Sequence, residues 1–126
     1  MTGLASVVER ERLVCDVVEL WRSAIGTREI DRIAGLFSRD AIFQGLHPYG
    51  VGRDAVAEYY ASQPIGLKAA YRLVETRQVG QDAVLAYLEV EFSFTDRPSL
   101  RVHLSVLLVQ ETEGWLIKHY QVSRLD

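Results

Sequence analysis

Ala83-Val84-Leu85-Ala86-Tyr87-Leu88-Glu89-Val90-Glu91-Phe92-Ser93-Phe94-Thr95 and, after Asp96-Arg97-Pro98-Ser99, Leu100-Arg101-Val102-His103-Leu104-Ser105-Val106-Leu107-Leu108-Val109-Gln110 are two runs with strand periodicity. In the first, Val84, Ala86, Leu88, Val90, Phe92 and Phe94 share one face, while Leu85, Tyr87, Glu89, Glu91 and Ser93 share the other. In the second, Leu100, Val102, Leu104, Val106 and Leu108 share a face opposite Arg101, His103 and Ser105. A slip of one residue would move every apolar side chain into water, so the two apolar faces must lie on the same, covered side.

Two further runs flank this pair: Leu67 to Gln78, and Trp115 to Arg124. The connections Gly80-Gln81, Asp96-Arg97-Pro98 and Glu113-Gly114 suit hairpins, which predicts an antiparallel meander. Continued along the flanking strands, the same alternation predicts Tyr71, Leu73 and Glu75 on the covered face. On the last strand it predicts Trp115, Ile117, His119, Gln121 and Ser123 there. Glu75 is also read as marking an exposed strand end, because carboxylates are seldom buried unpaired.

What covers the sheet comes first in the chain. Val7, Val14, Val17, Val18, Trp21 and Ile25 recur at helical spacing. Ser6 and Glu9 form a capping box, and Gly26 stands where a left-handed cap would end the helix. A short helix is expected from Arg28 to Phe37 with Thr27 as its cap, then a strand from Ala41 to Leu46. His47-Pro48-Tyr49-Gly50 reads as a turn, and Gly52 as the cap of a third helix, Arg53 to Ser62, which Pro64 ends. Helices first and consecutive strands afterwards make an α+β fold rather than alternating βαβ units. The length of 126 residues fits one domain, residues 1–126.

The totals exclude several classes of function. A net charge of −3 without a Lys/Arg block gives no reason to expect nucleic acid. No apolar run is long enough to span a membrane, and Met1 to Glu9 lacks the pattern of a secretory leader, so a cytoplasmic location is expected. Cys15 has no partner for a disulfide, and His47, His103 and His119 do not have the spacing of a metal site. No glycine-rich phosphate loop is present, so no cofactor is implied.

An apolar face carrying a few convergent polar groups is what a small-molecule pocket requires. The expected wall is Trp21, Phe43, Tyr59, Val90, Phe92, Val102, Leu104 and Ile117, with Tyr71, Gln121 and Ser123 as orienting groups. His47, Tyr49 and Tyr60 are expected near the rim. His119 is the expected general acid or base, since histidine ordinarily changes protonation near neutral pH. The outer face carries Glu89, Glu91, Arg101, His103 and Lys118 interspersed with Leu85, Tyr87, Leu107, Val109 and Tyr120. That is too apolar for plain solvent exposure, and a homodimer through this face is expected.

The order long helix, short helix, Leu36-Phe37-Ser38-Arg39-Asp40-Ala41, strand, Gly52-Arg53-Asp54-Ala55-Val56, helix and four long strands ending in Gly114-Trp115-Leu116-Ile117-Lys118-His119-Tyr120-Gln121-Val122-Ser123 resembles the nuclear transport factor 2-like superfamily. Within it, the chain is most similar to SnoaL-like and SgcJ/EcaC-like bacterial proteins. The resemblance implies a cone-shaped curved sheet of the cystatin-like α+β barrel type, a pocket between the long helix and the sheet, and dimerisation through the outer face. The scaffold hosts isomerases, cyclases, dehydratases and association domains alike. Ketosteroid isomerase in this superfamily uses an Asp base with a Tyr and a protonated Asp as oxyanion donors. Here the base position falls close to Gly45, and no Asp lies in the last two long strands before Asp126. The family's closing pattern of His, His and Ser is met by His119 and Ser123, with Gln121 replacing the second His. Three functions stay open: acid–base isomerisation, cyclisation or dehydration of a hydrophobic oxygenated substrate; sequestration of a metabolite without turnover; and pure association.

Overall fold

The computed structural model describes residues 6–125. The N-terminal stretch read for a leader therefore lies largely outside the described residues, as does Asp126. The elements are α1 (Val7–Gly26), α2 (Ile30–Gly35), β1 (Phe37–Gln44), β2 (Gly50–Val51), α3 (Arg53–Ala61), β3 (Lys68–Gln78), β4 (Ala83–Ser93), β5 (Leu100–Glu111) and β6 (Gly114–Arg124). They form one curved sheet in the order β2-β1-β6-β5-β4-β3, which is left open with β2 and β3 as its edges rather than closed into a barrel. The β3–β4, β4–β5 and β5–β6 pairs are antiparallel, as the meander requires. β1 joins β6 in parallel, so the sheet is mixed.

The helix α1 begins as its capping box dictates: Ser6 Oγ accepts the Glu9 backbone N–H at 3.1 Å. Its other end corrects the expectation. Gly26 is the last helical residue, and the left-handed position is taken by Arg28, at φ 57°. That conformation is costly for a residue with a Cβ. It is held by the guanidinium, which donates to the carbonyls of Gln63 and Ala61, both at 3.0 Å, at the C-terminal end of α3. The cap position of α2 is Glu29, and Thr27 instead donates its hydroxyl to Ser23 O at 3.1 Å. α2 stops before Phe37, which is fully buried and opens β1. Gly52 caps α3 as expected, at φ 90°, where a side chain would be strained.

The alternation on β4 and β5 holds residue for residue. Val84 faces Leu108, Ala86 faces Val106, Leu88 faces Leu104 and Val90 faces Val102, and all eight are buried. On the flanking strands it breaks, each time at a bulge. In β6, Ile117 pairs with Leu108 but His119 pairs with Leu107, so Lys118 is the extra residue. In β3, Leu73 pairs with Leu88 but Glu75 pairs with Tyr87, so Val74 is the extra residue. An extra residue reverses the facing of everything beyond it. Tyr120 and Val122 therefore turn inward opposite Val106 and Leu104, and Thr76 turns inward opposite Ala86. Glu75 lies outside and pairs with Arg77 at 3.0 Å.

Ion pairs brace the β6 bulge. The Lys118 ammonium donates to Asp40 at 2.8 Å and lies 3.8 Å from Glu111, whose carboxylate accepts the buried Ser38 hydroxyl at 2.6 Å. Asp40 stands in β1 within the irregular stretch between Phe37 and Ile42.

Candidate functional site

The inward turn of Tyr120 assembles an aromatic group under the helices. Phe43 of β1 stacks on the Tyr120 ring at 4.5 Å between centroids, and Trp21 of α1 lies 6.2 Å from it. Beside this group is a cavity of about 140 Å³. Its apolar lining is Leu46, Leu67, Phe92, Phe94, Leu100 and Val122; its polar lining is Tyr59, Tyr60, Tyr120, His47, Gln63 and Arg97. The lining comes from the segment after β1, from the end of α3 and the chain that follows it to Leu67, and from the β4–β5 hairpin and the end of β6.

A hydrogen-bond relay ends at the cavity. Trp21 Nε1–H donates to the Tyr60 hydroxyl oxygen at 3.1 Å, and Tyr60 O–H donates to the Tyr120 hydroxyl oxygen at 3.3 Å. All three side chains are buried. Each donor in the relay is consumed by the next oxygen, so the Tyr120 O–H needs an acceptor beyond it. Tyr120 lines the cavity.

Burial pushes the Tyr60 phenol up, against the pull of its bonds to Tyr120 and Trp21, and pushes Tyr120 up as well. Tyr59 is also raised by burial, with the Leu46 backbone acting the other way. These phenols therefore stay protonated at neutral pH and act as hydrogen-bond donors, not as bases. No carboxylate is among the lining residues, and the imidazole of His47 sits at the mouth, 5.9 Å from the Tyr59 ring.

Apart from the expected polar floor of His119, Gln121 and Ser123, the expected site residues separate into four groups. Tyr59 and Phe92 line the cavity. Trp21 and Phe43 stand directly behind it, touching its lining. Val90, Val102, Leu104 and Ile117 are buried in the core, away from the lining. Tyr71 lies against α1, with its hydroxyl 3.3 Å from Glu19.

The Lys118 bulge corrects the polar floor. His119, Gln121 and Ser123 pair with Leu107, Ser105 and His103 on the outer face, opposite the cavity. Tyr120, expected outside, is inside. One signal in the sequence marks this reversal: Ile117 and Tyr120 are three apart where a regular strand spaces its inward residues by two. Arg97, which the sequence reading left in a hairpin loop, reaches the cavity mouth only because β4 and β5 end there.

A neighbouring cleft of about 260 Å³ shares Tyr60, Gln63 and Leu67 with this cavity, but its one cation, Arg28, is committed to backbone carbonyls. Among the described residues, no group of three or more His, Cys, Asp or Glu is placed to hold a metal ion. None of the described helices is long and apolar enough to cross a membrane.

Residues 14–126 match the SnoaL-like domain family. No protein of curated function matches the sequence. Among solved structures, the chain is similar to a ketosteroid isomerase-like protein from Erwinia carotovora, at 21% identity over 88% of this chain and 92% of that one, with a TM-score of 0.76. It is similar to a domain of unknown function with a cystatin-like fold from Nostoc punctiforme, at 14% identity over 97% and 80%, with a TM-score of 0.81. It is also similar to an NTF-2-like protein of unknown function from Shewanella oneidensis, at 11% identity over 87% and 95%, with a TM-score of 0.76. Identities this low establish the fold and leave the activity to be argued from the site.

Proposed function

Since the chain belongs to the SnoaL-like domain family, within the nuclear transport factor 2-like superfamily, we propose that its cavity binds one small apolar molecule bearing a hydrogen-bond-acceptor oxygen. The observation that carries this reading is the Trp21–Tyr60–Tyr120 relay, whose last hydroxyl adjoins an otherwise apolar hollow. Size narrows it further. An apolar cavity of roughly 150 Å³ accommodates a benzene-sized guest. At about 140 Å³, this one suits a single ring, with larger substituents leaving through the mouth.

The chemistry offered is polarisation of the bound oxygen. Isomerisation, cyclisation or dehydration would also require a proton acceptor at the substrate, and the lining supplies only His47 at the rim. Binding is therefore the reading favoured here, and His119 has no part in it. Calorimetric titration with acetophenone, a one-ring ketone, is the test. Saturable binding that weakens about tenfold in Tyr120→Phe supports the reading. Binding that is equally strong in both proteins would sink it.

A homodimer through the outer sheet face is the companion reading. Ile42 and Tyr87, 45% and 44% exposed, stand there with half-buried Leu85, Leu107 and Val109. Sedimentation should give a dimer for the native chain and a monomer for Leu107→Glu.

A further inference from the structure

The mouth of the cavity differs in charge from the rest of the molecule. The chain carries a net charge of −3, yet the charged or chargeable groups of the lining are Arg97 and His47, with the Asp96 carboxylate bound to Arg97 just outside it. Arg97 is also fixed in place. Its guanidinium lies 5.2 Å from the centroid of Phe94, itself a lining residue, and its Nε and Nη2 donate to Asp96 at 3.0 and 3.1 Å. Those bonds use two of its five N–H donors. Among the described residues no partner is present for Nη1, so one edge of the guanidinium is held by the protein and the other is available.

A preorganised cation above a one-ring apolar cavity, with a neutral donor at depth, has a defined complement. We propose that the molecule bound here is an aromatic or alicyclic carboxylate, its acceptor oxygen against Tyr120 and its carboxylate at the mouth against Arg97. The assignment rests on the cavity being the ligand site, and it adds the charge of the ligand and the residue that reads it. Planar N–H donors match a carboxylate better than a point charge does, which gives Arg97 selectivity for this group.

The test compares 4-acetylbenzoate with its methyl ester, which keeps the ring and the ketone and removes the charge. Both are titrated calorimetrically against the native chain and against Arg97→Gln, an exposed substitution that spares the core. The acid should bind at least about tenfold more tightly than the ester, the scale of one charge-assisted hydrogen bond. Arg97→Gln should reduce the acid to the ester's affinity, and about 1 M salt should do much the same, because charges at an exposed mouth are screened. Equal affinities for acid and ester in the native chain would overturn the carboxylate assignment and leave the cavity reading standing. An acid preference that survives Arg97→Gln would overturn the role of Arg97. Binding of neither compound would overturn both the assignment and the site.

Discussion

The ring of Tyr59 occupies the space that any side chain at position 45 would need: a Cβ on Gly45 would lie 2.8 Å from Tyr59 Cε2 and 2.9 Å from its hydroxyl oxygen. Gly45 stands close to where the resemblance places the base of ketosteroid isomerase. The absent base is therefore more than a missing carboxylate, because an aromatic wall residue has taken its room. Phe43, Tyr60 and His47 surround the Tyr59 ring at 4.9, 5.1 and 5.9 Å between centroids, so it is confined on several sides.

Gly45→Ala should accordingly cost about 1–3 kcal/mol in denaturant unfolding, the usual scale for overpacking. Tyr59→Ala removes the obstacle, so the double variant should be more stable than the sum of the two losses by about 1 kcal/mol or more. Strict additivity would show that the two positions do not compete for space.

The relay makes unequal demands on its two phenols. Tyr60→Phe strands the buried Trp21 N–H and should cost about 1–3 kcal/mol of stability. Tyr120→Phe leaves Tyr60 able to turn its hydrogen toward the cavity, so its cost should stay near 1 kcal/mol. Ligand affinity should fall in the reverse order, with Tyr120→Phe the more damaging. If Tyr120→Phe proved the less stable variant, the relay would not run toward the cavity.

The sequence discloses this fold wherever one rule of periodicity holds for a whole element. β4 and β5 alternate without interruption, and their facing follows directly; α1 starts where Ser6 and Glu9 place it. The reading fails where tertiary contacts impose a local departure. Lys118 in its bulge is braced by Asp40 and Glu111, which are distant in sequence, and alternation counted from Ile117 cannot register the extra residue. The left-handed Arg28 is likewise held by carbonyls at the end of α3 and just past it. One bulge thus exchanged His119 for Tyr120 at the inner face, and with it a proton-transfer site for a hydrogen-bond donor.

Deleting Lys118 tests that exchange. With Lys118 removed, Ile117 is followed directly by His119, so regular alternation keeps His119 and Gln121 outside and Tyr120 and Val122 inside, and the aromatic group stays in the core. The deletion should therefore keep a cooperative thermal transition, measured by circular dichroism. Lys118→Ala keeps the backbone of the bulge and loses only surface ion pairs, to Asp40 and Glu111, so its transition should stay sharp and shift little. His119→Ala should bind acetophenone within about twofold of the native chain, less than the worth of a single hydrogen bond. Loss of the cooperative transition in the deletion variant would mean that the single extra residue does not set the facing of β6.

Alkaline titration separates buried phenols from exposed ones. Burial raises Tyr60 and Tyr120, and it pushes Tyr71 up to about 12, helped by the nearby Cys15 and Glu19. An unfolded tyrosine ionises near 10. Above that pH the unfolded chain has released protons that the folded chain still holds, so stability falls as pH rises. The contribution of these phenols is complete below about pH 10 and is lost progressively above it. Denaturation midpoints should therefore be level up to about pH 9 as far as the tyrosines are concerned, then drop through pH 10 and 11. Phenolate absorbance should show Tyr60 and Tyr120 ionising only as the fold is lost, and Tyr60→Phe should soften the alkaline decline. Ionisation of all six tyrosines near pH 10 with the fold intact would be incompatible with a relay buried between α1, α3 and β6.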